Sequence, residues 1–106
     1  MNTNSLWHIF ESILTLDLKN KTKVFHASTS EMYGDHNLDS ATRSFNENSE
    51  FRPMSPYAVS KVAGFHICSY FARVYNLQVA TAISFNHESP LRGEQFVTQK
   101  VIKHAV

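Results

Sequence analysis

Apolar residues recur at helical spacing near the start of the chain: Leu6, Ile9, Phe10, Ile13 and Leu14, with Glu11, Ser12 and Thr15 between them. The pattern predicts an amphipathic helix over residues 5–18, stopped by Asn20-Lys21-Thr22. A short apolar run from Lys23 to Ala27, centred on Val24 and Phe25, reads as a buried strand. Ser28-Thr29-Ser30-Glu31-Met32-Tyr33-Gly34 leaves its carboxyl end, the edge where open α/β sheets bind ligands. Residues 35–54 are rich in Asn, Ser, Asp and Glu and show no period. A loop of that length is functional or disordered, and here it is expected to border an active site. Ser55 is a good N-cap and Pro56 suits the first helical position, so a long helix is expected over 56–75. Its apolar stripe is read as Val59, Ala63, Ile67, Tyr70 and Val74, with Asn76 as the stop. Val79 to Phe85 is a second strand, Asn86-His87-Glu88-Ser89-Pro90 a polar exit, and a last helical pattern starts near Glu94.

Helices and strands that alternate in this way imply a parallel sheet with crossover helices. The fold expected is α/β, part of a Rossmann-like doubly wound sheet, with residues 1–106 as one partial domain. Two strands are too few for such a sheet, and both would be edges. The chain therefore reads as the middle of a larger unit.

Composition narrows the function classes. A net charge of +1, with acids and bases interspersed, gives no basic face for nucleic acid or an anionic membrane. No apolar run approaches a membrane span and no signal-peptide pattern opens the chain, so a cytoplasmic protein is expected. The single cysteine, Cys68, excludes an internal disulfide, and its place beside the helical stripe makes it a core residue rather than a nucleophile. His8, His26, His36, His66 and His104 lack metal-ligand spacing, so no metal is expected. Gly34, Gly64 and Gly93 are too far apart to form a glycine-rich phosphate loop.

Candidate chemistry starts with Tyr57 and Lys61, one turn apart on one helix face. A phenol beside an ammonium is an acid/base suited to a sugar hydroxyl. A free phenol titrates near ~10, so work at neutral pH demands about 4 kcal/mol of stabilisation. One exposed ammonium at ~4 Å supplies about 1 kcal/mol in water. The pair thus calls for a closed site and a second positive charge, such as an oxidised nicotinamide. Taken singly, Tyr-x-x-x-Lys is common on surface helices. Glu31 is equally readable as a solvated loop carboxylate, Thr29 as the partner of a turn amide, His87 as a hydrogen-bonded loop histidine and Lys100 as a solvated lysine.

In order along the chain stand Ala27-Ser28-Thr29-Ser30-Glu31-Met32-Tyr33-Gly34, Ser55-Pro56-Tyr57, Phe85-Asn86-His87-Glu88-Ser89-Pro90, Arg92-Gly93 and Phe96-Val97-Thr98-Gln99-Lys100. Together they resemble extended short-chain dehydrogenase/reductases acting on nucleotide sugars, and most closely the GDP-mannose 4,6-dehydratase family. The resemblance implies an NADP-dependent lyase forming a 4-keto-6-deoxy sugar from GDP-mannose or a related nucleotide sugar. It implies Thr29, Glu31, Tyr57 and Lys61 as catalytic residues. Tyr57 would take the 4-hydroxyl proton, Lys61 would assist it, Thr29 would position the 4-oxygen, and Glu31 would take the C5 proton and assist loss of the 6-hydroxyl. Tyr57, Lys61, His87 and Arg92 match cofactor contacts; Ser30, Asn86, Val97 and Lys100 match substrate contacts. Leu91 departs from the family pattern, which has a basic residue there, and so does Met54, where Arg is usual. A homo-oligomer, or association with the rest of the fold, is implied. An alternative of another class is a non-catalytic truncated paralogue that associates with a full-length dehydratase; another alternative within the class is an enzyme for a different nucleotide sugar.

Overall fold

Helix α1 spans Asn2–Thr15 in a computed structural model that describes residues 2–34, 44–89, 91 and 93–105. It ends three residues before the expected limit because the chain closes a left-handed cap there. Asp17 takes φ 51°, Leu18 N–H donates to the Ile13 carbonyl at 2.9 Å, and Asp17 N–H donates to Leu14 at 3.1 Å. This is the double bond pattern of a Schellman closure, and it turns Leu18 back onto the core.

Strand β1 runs Lys23–Thr29, two residues beyond the apolar run. It pairs in parallel with β2, Gln78–Ser84, from Lys23↔Gln78 to Thr29↔Ser84. The polar Ser28 and Thr29 ended the hydrophobic signal without ending the ladder. The two strands therefore finish level, and that shared end carries the site.

Helix α2, Pro56–Tyr75, crosses between the strands with the bounds expected. The Ser55 hydroxyl accepts from Ala58 N–H at 3.0 Å, and Asn76 ends the helix in the left-handed region at φ 55°, which Asn tolerates better than most residues. Its buried face differs from the predicted stripe. Val59, Tyr70 and Val74 are exposed, whereas Ala58, Gly64, Cys68 and Phe71 are buried. Gly64 explains the rotation: a Cβ there would lie 3.2 Å from the His26 ring of β1, so its lack of a side chain lets helix and strand approach. A hydrophobic stripe cannot register that contact.

The core is Phe10 and Ile13 of α1, Cys68 and Phe71 of α2, and Leu77, with Leu6, Leu14, Leu18, Val24, Ile67 and Val79 around it. Phe10 stacks on Phe71 at 4.6 Å between centroids, a pairing worth about 0.5–1.5 kcal/mol beyond area burial. Cys68 is a core residue, and burial pushes its thiol above the ordinary range. The helices cover one face of the sheet. Val24, His26 and Ser28 point toward it, while Lys23, Phe25 and Ala27 alternate outward. Phe25 is consequently 72% exposed rather than buried.

After β2 the chain passes through a turn at Glu94 and Gln95 and forms α3, Val97–His104, later than expected. Among the described residues, no helix is long and apolar enough to cross a membrane, and no group of three or more His, Cys, Asp or Glu is placed to hold a metal ion.

Candidate active site

At the level carboxyl ends of β1 and β2 lies a cavity of about 340 Å³. Thr29 closes β1 into it, Tyr57 enters from the first turn of α2, Asn86 and His87 from the exit of β2, and Val97 from the start of α3. The Tyr57 side chain is open to solvent. Lys61 stands one turn along the same face. Its Nζ donates to the Ala27 carbonyl at 2.9 Å and lies 5.6 Å from the Tyr57 ring centroid. An ammonium has three N–H donors, so the bond to Ala27 anchors Lys61 and leaves donors for a ligand. Behind it, the imidazole of His26 is held below its ordinary value, first by burial and then by the Lys61 charge. Among the described residues, Lys61 is the cation beside the Tyr57 ring.

Thr29 has a second task. Its Oγ1 accepts from Glu31 N–H at 3.3 Å and caps the 3₁₀ turn Ser30–Tyr33. That is the turn-amide role open to it from sequence, and it leaves the hydroxyl proton available. Ser30, half-buried, opens the turn. Glu31 is exposed and does not line the Tyr57 cavity. It borders an adjoining hollow with Gly34, Met54, Ser55 and Ala58, across the amino end of α2.

The turn is held on its far side by the described part of the 35–54 loop, residues 44–54. Arg52 N–H donates to the Met32 carbonyl at 3.0 Å, the Tyr33 hydroxyl donates to Asn46 O at 2.9 Å, and Tyr33 stacks on Phe45 at 4.8 Å. Gly34, at φ 64°, passes so close to Arg52 that a Cβ would stand 1.7 Å from its carbonyl oxygen. Gly34→Ala is therefore expected to cost about 2 kcal/mol or more, read as a lower denaturant midpoint with an unchanged m-value.

His87 Nδ1 bonds the Phe85 carbonyl at 3.0 Å. A carbonyl only accepts, so Nδ1 is the donor in this bond. Lys100 is exposed on α3 and is not among the residues lining the cavity. Arg92 and residues 35–43 of the expected loop lie outside the described residues. Sequence reasoning missed Ser28, Ser84, Phe85, Glu88 and Phe96 as cavity walls. Ser84 and Phe85 were findable, since they end β2 on the edge that also carries Thr29.

The arrangement offers a phenol, an ammonium and a hydroxyl around one cavity, with a carboxylate next door. The sequence profile described as GDP-mannose 4,6 dehydratase matches residues 1–106. The chain is 40% identical over 95 residues to a GDP-mannose 4,6 dehydratase of Drosophila melanogaster, covering 90% of this chain and 23% of that protein. It is 41% identical over 97 residues to one of Sinorhizobium fredii (strain HH103), covering 92% and 26%, and 39% identical over 93 residues to one of Homo sapiens, covering 88% and 24%. The chain thus spans about a quarter of the length of the curated relatives it matches. Among solved structures, dTDP-glucose 4,6-dehydratase of Bacillus anthracis str. Ames in complex with NAD superposes with a TM-score of 0.77 at 24% identity, over 92% of this chain and 29% of that one. UDP-glucuronic acid 4-epimerase of Bacillus cereus in complex with NAD gives 0.73 at 22%, over 94% and 30%. At these identities the two structures speak for the fold.

Proposed function

Because the chain belongs to the GDP-mannose 4,6-dehydratase family, we propose that its residues carry the acid/base chemistry by which GDP-mannose loses water to give GDP-4-keto-6-deoxymannose. The observation that carries this reading is the meeting of Thr29 and Tyr57 in one cavity, with Lys61 over the Tyr57 ring.

A nicotinamide dinucleotide, NADP in our reading, supplies the hydride acceptor and donor when bound. The residues present suit its nicotinamide–ribose end: Lys61 keeps free donors for a diol, and Tyr57 and His87 face the same space. Arg92 is proposed as a further contact. Tyr57 takes the proton of the sugar 4-hydroxyl, and the Thr29 hydroxyl holds the 4-oxygen in line. The ketone so formed at C4 acidifies the C5 proton. Glu31 takes that proton and the C6 hydroxyl leaves as water, the carboxyl group returning a proton to the leaving oxygen; addition to C6 of the hydride removed from C4, and of a solvent proton to C5, then gives the 4-keto-6-deoxy sugar. Elimination needs an acid/base distinct from the one serving C4, and Glu31, two residues from Thr29 in an adjoining hollow, is the carboxylate assigned to it. The hexose then lies with C4 at Tyr57 and C5–C6 directed across the α2 amino end. Ser30, Asn86, Val97 and Lys100 are proposed to contact the nucleotide sugar.

The test is a graft. Residues 1–106 replace the matching stretch of the human relative, and 4-keto-6-deoxy product is measured from GDP-mannose and NADP; retained turnover supports the reading, and a folded graft without turnover opposes it. The 106-residue polypeptide by itself is expected to form no product under the same assay. Its glycines are dispersed, so these residues include no glycine loop to seat a pyrophosphate. Measurable product from it would overturn that expectation. A panel of nucleotide sugars offered to the graft separates GDP-mannose from another substrate.

A second reading, non-catalytic association with a full-length dehydratase, draws on the open face of the sheet, where Phe25 is 72% exposed, and on a sheet that has two strands among the described residues. Size-exclusion chromatography with light scattering decides it: a stable complex with the dehydratase supports association, and a clean folded monomer in the mixture counts against it.

A further inference from the structure

We propose that Ser28 is a positioning residue for the Glu31 carboxylate, acting through the buried thioether of Met32. The inference rests on the reading of Glu31 as the elimination base. Ser28 is 5% exposed, Met32 is fully buried, and Ser28 Oγ donates to Met32 Sδ at 2.9 Å. Ser28 occupies a core-facing position of β1, in alternation with Val24 and His26, where an aliphatic side chain would meet the demand for burial. A hydroxyl there loses its water, and a thioether is a weak acceptor that returns little of the cost. Net stability is therefore a poor account of a serine at this place. Orientation is a better one.

Met32 and Glu31 are neighbours in a four-residue 3₁₀ turn, a form with poor internal hydrogen-bond geometry. The backbone of the turn is tied by Thr29 Oγ1, by Gly34 N–H on the Glu31 carbonyl at 3.1 Å and by Arg52 N–H on the Met32 carbonyl. Those bonds hold the backbone, and the roll of the turn is set by its two buried side chains, Tyr33, bonded to Asn46 O, and Met32. Methionine has three rotatable bonds and adapts to many cavities, so packing by itself selects no single rotamer. The hydroxyl–sulfur bond selects one. Through the shared backbone it sets how Glu31 leaves the turn, at the border of the hollow that Ser55 and Ala58 also line. The same serine lines the Tyr57 cavity, so one residue ties the placement of the carboxylate to the strand end that places Thr29.

The test is nuclear magnetic resonance of the full 106-residue chain, uniformly labelled and with labelled methionine methyl groups, following the Met32 methyl resonance and the residual dipolar couplings of the Glu31 N–H and Cα–Cβ bonds, which report how the turn is rolled. Ser28→Ala is expected to shift the Met32 resonance and change those couplings while the Phe10–Phe71 contacts persist. Ser28→Thr, which keeps the hydroxyl, is expected to keep both as in the unaltered chain. Met32→Leu should produce the same change in the Glu31 couplings, and the double variant Ser28→Ala/Met32→Leu should be no worse than either single one. Glu31 couplings that stay unchanged in both Ser28→Ala and Met32→Leu would overturn the proposal, and Met32→Leu keeps the decision open to experiment if Ser28→Ala unfolds. No turnover is read, so a failure of Glu31 as a base would leave these outcomes as they are and would show itself only in the graft assay.

Discussion

Tyr57→Phe in the grafted enzyme is expected to lower kcat by about 10²–10⁴-fold, the range lost with a positioned acid/base. The KM for GDP-mannose should change little. The substitution keeps the ring, the Ser55–Pro56 helix start and the burial of Ala58 beside it, and removes only the hydroxyl. Because Lys61 is anchored to Ala27 O at 2.9 Å, the ammonium stays in place when the phenol is gone, so the loss reports the proton transfer and not a collapse of the site. Steady-state kinetics give the answer. An effect confined to KM would place Tyr57 among the binding contacts.

The second large effect is expected at Glu31. Glu31→Gln preserves size and exposure but cannot accept a proton, and dehydration should fall by a similar order, about 10²–10⁴-fold. Exchange of the sugar C5 proton with solvent should fall with it, whereas Glu31→Asp, which keeps a carboxylate on a shorter stem, should retain a measurable part of both. Exchange followed by proton resonance separates this role from that of a solvated surface carboxylate, whose replacement would leave both rates alone. The site geometry makes the prediction a severe one. Glu31 stands in the hollow with Met54 and Ser55 and not in the cavity of Tyr57, so the substrate must bridge the two.

What the sequence made legible follows from which interactions have a local signature. Helix α2 was readable to the residue because its limits are set by Ser55, Pro56 and Asn76, each acting within one turn. The end of α1 was not, because Asp17 is an uncommon occupant of a left-handed cap that glycine usually fills. The parallel pairing of the strands followed from the alternation of elements, yet β1 was read short because Ser28 and Thr29 end the apolar run while still in the ladder. The buried face of α2 was misjudged for a tertiary reason: Gly64 faces the His26 ring, and a residue without a side chain leaves no mark on a hydrophobic stripe. In the site, Thr29, Tyr57, Asn86, His87 and Val97 were named from the sequence and share the cavity. The capping of the turn by Thr29 and the separate hollow of Glu31 depend on how Arg52 and Gly34 fold the turn back. No spacing along the chain encodes that.

The most direct measurement is the product formed by the graft from GDP-mannose in deuterium oxide, analysed by mass spectrometry and proton resonance. Removal of the C5 proton by Glu31, loss of the 6-hydroxyl and return of a solvent proton to C5 require a 4-keto-6-deoxy sugar carrying one deuteron at C5. A 4-keto-6-deoxy product that retains its original C5 proton, or a 4-keto sugar that still holds its 6-hydroxyl, would contradict the account.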